Sequence, residues 1–204
     1  MSPRPRKASD DDVFVAVQGA MSRLGPGELT LAEIAAEAGL TAGALVQRFG
    51  SRRDLLLAFS RRFSGETHAL FEGLRRAHRS PLAAIRAYGE CMSRLAASPA
   101  ALVRNLAYLE IDLTDPDFRK ELAAQATATQ AELRALIREA VAAGQLAPRT
   151  NARQLARTLD AVLTGSMMAW GFHQQGPTAK WMRADLDAVL RPHLAKRTGR
   201  AGST

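Results

Sequence analysis

The sequence predicts an all-α protein, on three observations. Apolar residues recur every three or four positions through most of the 204 residues, and alternating β-branched runs are scarce. Alanine-rich runs are frequent and aromatic residues reach only 5%, a mixture suited to packed helices. Ser, Thr, Asp, Gly and Pro separate the apolar segments where helices would begin and end. About nine helices fit this punctuation, in one domain or two small ones with room for a real core.

The elements follow in order. Residues 1–8, rich in Pro and Arg, are expected to form a flexible basic arm. A first helix starts near Ser9, with Asp10, Asp11 and Asp12 favoured in its positive first turn, and carries Phe14, Val17, Met21 and Leu24 on one face. Gly25-Pro26-Gly27 ends it. Thr30 and Glu33 form a capping box for a second helix, whose stripe is Leu31, Ile34, Ala35 and Ala38. Thr41 caps a short third helix running to about Phe49. Ser51 and Asp54 cap a long fourth, its stripe running through Leu55, Leu56, Phe59, Phe63, Leu70 and Leu74. Ser80-Pro81, Ser98-Pro99 and Asp115-Pro116 start further helices with proline at the first position, the last of them running to Ala143 before Gly144. Two more helices are expected near 151–175 and 178–194, and the tail 195–204 is expected to be disordered. The division expected is 9–54 for a small N-terminal domain and 55–194 for a larger second one.

Residues 30–59, TLAEIAAEAGLTAGALVQRFGSRRDLLLAF, carry the chemistry. Two short helices joined at Gly39 make a helix-turn-helix. Ala35 is small where the helices cross, Gly39 sits where the turn needs a left-handed backbone, and Leu45 faces back into the angle. Such a unit projects its second helix into a DNA major groove. Charge alone locates this less well. The formal net charge is +8, but Arg4, Arg6, Lys7, Lys196, Arg197 and Arg200 lie in the two tails. Arg48, Arg52 and Arg53, with no acid among them, are the more useful local cluster.

Residues 9–59 resemble the DNA-binding domain of the tetracycline-repressor (TetR) family. Ile34, Ala35, Ala38, Gly39, Leu40, Thr41, Gly43, Leu45, Phe49, Ser51, Arg52, Leu55 and Leu56 match in order and without gaps. The rest of the chain is similar in helix count and rhythm. The resemblance implies a ligand-responsive transcriptional regulator, a repressor that binds a palindromic operator in double-stranded DNA as a homodimer. A small-molecule effector would release it. Two departures stand out: Val46 where the family usually has tyrosine, and Arg48 where it commonly has histidine. Val46 loses a backbone-touching hydroxyl and offers a methyl contact to thymine; Arg48 offers a permanently charged phosphate clamp.

The expected DNA-binding residues are Thr30, Thr41, Ala42, Ala44, Val46, Gln47, Arg48 and Arg52. Gln47 can pair bidentately with adenine, and Arg52 looks like the family's phosphate-binding lysine at the start of the fourth helix. Arg53 is expected to face solvent. For the effector, Met92, Leu95, Tyr108, Leu109, Asp112 and Trp170 could line an apolar pocket, Asp112 suiting a cationic ligand; ordinary helical core is the competing reading. Leu155, Leu159, Val162, Leu163, Ser166, Met167, Trp181, Leu186, Val189 and Leu190 form apolar rows wider than a small domain needs. The resemblance implies that these rows build a four-helix dimer interface.

No cofactor, metal or enzymatic activity is expected. His68, His78, His173 and His193 lack helical metal-ligand spacing, and no nucleophile–base set or phosphate loop can be picked out. A lone Cys91 and the lack of a 20-residue apolar stretch point to the cytoplasm and away from the membrane. Two alternatives remain: a helical small-molecule-binding or enzymatic domain with a degenerate helix-turn-helix, and an activator of the same family.

Overall fold

A computed structural model describes residues 8–195. The basic arm, apart from Ala8, and the tail after Ala195 lie outside the described residues. Ten α-helices run in chain order: α1 (Asp10–Arg23), α2 (Leu31–Ala38), α3 (Ala42–Phe49), α4 (Arg52–Gly65), α5 (Thr67–Ala77), α6 (Pro81–Ser93), α7 (Pro99–Thr114), α8 (Pro116–Ala142), α9 (Ala152–His173) and α10 (Thr178–Leu190). Two 3-10 turns, Arg94–Ala96 and Arg191–His193, complete them. Among the described residues there is no β-strand, and no helix is long and apolar enough to cross a membrane.

The predicted hydroxyl caps form, but the reciprocal capping box is made at α1, by Ser9 and Asp12. At α2 only the Thr30 half of the expected box with Glu33 is present. Ser9, Thr30, Thr41, Ser51 and Ser80 each accept the backbone N–H three residues on, at 3.1–3.2 Å, and Asn151 does the same for α9. Each satisfies an N–H that the helix itself leaves orphaned, at about 1 kcal/mol apiece. The expected long fourth helix is corrected: it is two helices. Glu66 donates to the Phe63 carbonyl, three residues back, so the last turn tightens and the helix stops at Gly65. The apolar stripe breaks with it. Phe63 and Leu70 are exposed, while Thr67, Phe71 and Leu74 are the buried positions of α5.

The chain divides into two compact units: residues up to Glu66 with Ala100–Gln125, and Thr67–Pro99 with the residues from Ala126 onward. In the first, Val13, Val17, Ala20, Leu29, Ile34, Leu45 and Leu55 form a core of almost no solvent exposure. Tyr108 from α7 and Phe118 from α8 belong to that same core.

In the second unit, Ile85, Leu133, Leu136, Ile137, Leu159 and Leu190 are fully buried. Phe71 and Tyr88 pack ring to ring, with centroids 4.8 Å apart. Gly89 lets α6 settle onto α9 and α10. A Cβ there would stand 3.1 Å from Leu186 Cδ2 and 3.2 Å from Leu163 Cδ2, inside ordinary contact distance.

The apolar rows assigned to a dimer interface need correction. Leu155, Leu159, Leu163, Ser166, Met167, Leu186 and Leu190 are at most 9% exposed, packed inside their own chain. Helical periodicity reveals which face is buried, not what buries it. Val162, Trp181 and Val189 are half-buried. The faces that α9 and α10 leave open carry Ala161, Gly165 and Phe172, and Ala184 and Ala188.

Candidate nucleic-acid interface

The helix-turn-helix forms around Gly39, whose φ of 65° and ψ of 32° are left-handed. Its N–H bonds back to α2, and the Leu40 N–H reaches the Ala35 carbonyl at 2.8 Å, satisfying carbonyls the helix end would otherwise leave orphaned. Thr41 then caps α3. Ile34, Ala35 and Leu45 close the angle between the helices, each 2% exposed or less. With Leu45 turned inward, Thr41, Val46, Gln47 and Arg48 are exposed, and Ala42 and Ala44 are half-exposed beside them. Thr30 is exposed at the start of α2. Every DNA-binding residue expected on α3 thus lies on accessible surface, with small side chains at 42–44 that allow close approach to a groove wall.

The cations sit differently from the sequence expectation. Arg48 does not extend freely. It donates to the Ala8 carbonyl at 2.7 Å, pairs with Asp10 and lies over the Phe49 ring at 5.4 Å. Arg52 reaches back to the Pro26 carbonyl, and its Nε is buried with no partner among the described residues. Arg53, expected in solvent, grips Asp115 through Nε at 2.9 Å and Nη2 at 2.8 Å, and Asp117 through Nη2 at 2.7 Å. This fork holds the Asp115 carboxyl below its usual range and raises Arg53 further. The stretch that is free of acid in sequence is flanked by acid in space.

Other arginines brace the head. Arg23 forks onto Glu37 at 2.6 and 3.2 Å, tying α1 to α2. Arg62 pairs with Asp11 at 3.3 Å and Glu66 at 2.8 Å. The Tyr108 hydroxyl donates to the Leu24 carbonyl at 2.9 Å. None of these long-range partners carried a sequence signal. The one available hint was Arg53 itself, a cation in the first turn of a helix, where the dipole disfavours it.

The expected effector residues divide between the units. Tyr108, Leu109 and Asp112 lie on α7 in the first, with Tyr108 already committed to the head. Burial pushes the Asp112 carboxyl up. Met92, Leu95 and Trp170 lie in the second, where Trp170 Nε1 donates to the Gly176 carbonyl at 2.9 Å. No group of three or more His, Cys, Asp or Glu side chains that could hold a metal occurs among the described residues.

Comparisons with known proteins agree with this geometry. The family model "Bacterial regulatory proteins, tetR family" matches residues 20–59, and "Tetracyclin repressor-like, C-terminal domain" matches residues 82–186. No curated protein matches the chain. Among solved structures, a TetR transcription regulator from Haloarcula marismortui is 18% identical, covering 91% of this chain and 97% of its own, with a TM-score of 0.70. A TetR-family regulator from Agrobacterium tumefaciens is 21% identical over 91% and 97%, at 0.69. SmeT, the repressor of the Stenotrophomonas maltophilia multidrug efflux pump SmeDEF, is 20% identical over 97% and 96%, at 0.61.

Proposed function

The chain belongs to the tetR family of bacterial regulatory proteins, and from that premise we propose that it is a cytoplasmic, ligand-responsive repressor that binds a palindromic operator as a homodimer. The observation that carries this reading is the exposed face of α3, presented by the Gly39 turn with Gln47 at its centre. Gln47 reads adenine, the Val46 side chain meets a thymine methyl, and the hydroxyls of Thr30 and Thr41 meet phosphates.

A second copy supplies the second head. The open faces of α9 and α10, with Ala161, Gly165, Ala184 and Ala188, are small enough for close helix packing. Two heads then enter successive major grooves ~34–36 Å apart, or a multiple of that. A small-molecule effector held by the second unit shifts the equilibrium between head spacings by its differential affinity for them. The solved complex of SmeT with triclosan, a neighbour of the same fold, supports an effector of this kind. Regulation rather than catalysis is the whole role in this reading.

Fluorescence anisotropy with duplexes from the DNA upstream of its own gene tests it. Binding should weaken steeply with salt, and Gln47→Ala should relax sequence preference by ~1–3 kcal/mol. Binding that is indifferent to salt and to Gln47 would sink the reading.

A further inference from the structure

We propose that Asp115 and Asp117, at the start of α8, are positioning residues for DNA recognition: through Arg53 they hold the first turn of α4, and with it the corner from which the recognition helix α3 projects. The inference rests on the DNA-reading function above and concerns residues far from it in sequence.

Arg53 is the second residue of α4, at the positive end of a helix dipole, so a cation there needs an external anion. Two carboxylates supply it. Asp115 takes the guanidinium edge-on through both oxygens, and Asp117 adds a third bond. A forked pair of this kind fixes orientation as well as distance.

The acids are themselves anchored. The Asp115 N–H donates to the Ile111 carbonyl at 2.9 Å. Its Oδ1 accepts the Asp117 N–H at 3.0 Å, and its carbonyl accepts the Arg119 N–H at 2.9 Å, so it caps α8 while it grips Arg53. Phe118, next in line, is 5% exposed in the core of the head, with the Arg53 guanidinium 5.8 Å from its ring centre. An exposed lone pair would leave Arg53 free to wander; this one is fixed by a helix start and a buried ring.

The route from that grip to α3 is two residues long. Gly50 donates to the Val46 carbonyl at 2.8 Å, closing α3, and Ser51 caps α4 through Asp54 at 3.1 Å. A rotation of the first turn of α4 is therefore passed to the C-terminal end of α3, where Val46, Gln47 and Arg48 stand. The fold of the head should survive its loss, because Ile34, Leu45 and Leu55 are fully buried among themselves and their neighbours. Loosening the grip should blur the pitch of α3 and spare its folding.

The test compares wild type with Asp115→Asn, Asp117→Asn and the double variant; Asn keeps the helix cap. Anisotropy is read on a duplex from the DNA upstream of the gene and on a random-sequence duplex of equal length, alongside the melting temperature. The double variant should lose about tenfold on the first duplex and under twofold on the second, with the salt slope unchanged because no phosphate contact is removed. Amide exchange over residues 46–55, without DNA, should quicken. Arg53→Glu, which gathers three acids, should lose more, and adding Asp117→Arg should restore most of the loss. Unchanged affinity on the first duplex, equal losses on both, unchanged exchange, or no recovery in the charge swap each overturns the inference. Wild type that binds neither duplex in a salt-dependent way overturns the DNA reading, and this inference with it.

Discussion

The helix-turn-helix of the first unit is built from short helices and α9 of the second is long, and the two are stabilised by different means. α2 and α3 have 8 residues each, well below the ~12–15 at which an isolated helix becomes even marginal. They persist because every end is capped, Gly39 closes the turn, and arginines cross from helix to helix. α9, with 22 residues, instead rests on a row of buried Leu side chains. Ion pairs occur there too, as between Arg86 and Asp187 at 2.7 Å, but they lie over a core already closed by packing. Where helices are short, single residues are constrained one by one. Where they are long, many apolar sequences would serve.

Three substitutions can break this contrast, from the largest expected effect to the smallest. Leu45→Ala should cost ~2–5 kcal/mol of stability, since the 8-residue α3 has no second buried side chain to hold it, and chemical denaturation would read the loss. Loss below ~1 kcal/mol would mean the head does not rely on single residues. Gly89→Ala should cost about 1–3 kcal/mol by overpacking against Leu163 and Leu186. A neutral outcome would show that long-helix packing gives way more easily than supposed. Thr41→Ala removes the cap of α3 and should cost ~1 kcal/mol, with amide exchange rising first at Ala44.

Two further effects concern pH, and they differ in direction between the units. The Asp115 carboxyl, held low by Arg53, contributes stability that is fully present above its ordinary value of 3.8 and lost as pH falls through its lower folded value. Asp115→Asn should therefore flatten the acid limb of the stability curve. Tyr88, in the second unit, is pushed up to about 12 by burial, with the Asp160 charge adding to it. The folded state keeps that phenol neutral while the unfolded state ionises from pH 10, so stability should fall between 10 and about 12. Tyr88→Phe should remove that part of the alkaline loss, which circular dichroism over the same range would follow.

The same contrast explains how much was legible. Caps are local, so Ser9, Thr30, Thr41, Ser51 and Ser80 could be placed from neighbours three residues away. The exposed row of α3 followed from helical period once Gly39 was fixed. Arg48 and Arg53 could not be placed, because their partners Asp10 and Asp115 are 38 and 62 residues distant in sequence. The break at Gly65 was hidden by apolar residues, Phe63 and Leu70, that keep the period while facing outward. For the last two helices, the sequence reports a strong apolar row and is silent on whether a partner or the chain itself covers it.

The contact between Arg48 and Ala8 has a practical side. The recognition helix grips the backbone immediately before α1, at a carbonyl 2.7 Å away. An affinity tag or fluorescent fusion joined close to that point would be moored beside the helix assigned to the groove, and would compete with DNA for the same space. Labels for binding studies are better carried elsewhere, away from α3 and from the open faces of α9 and α10.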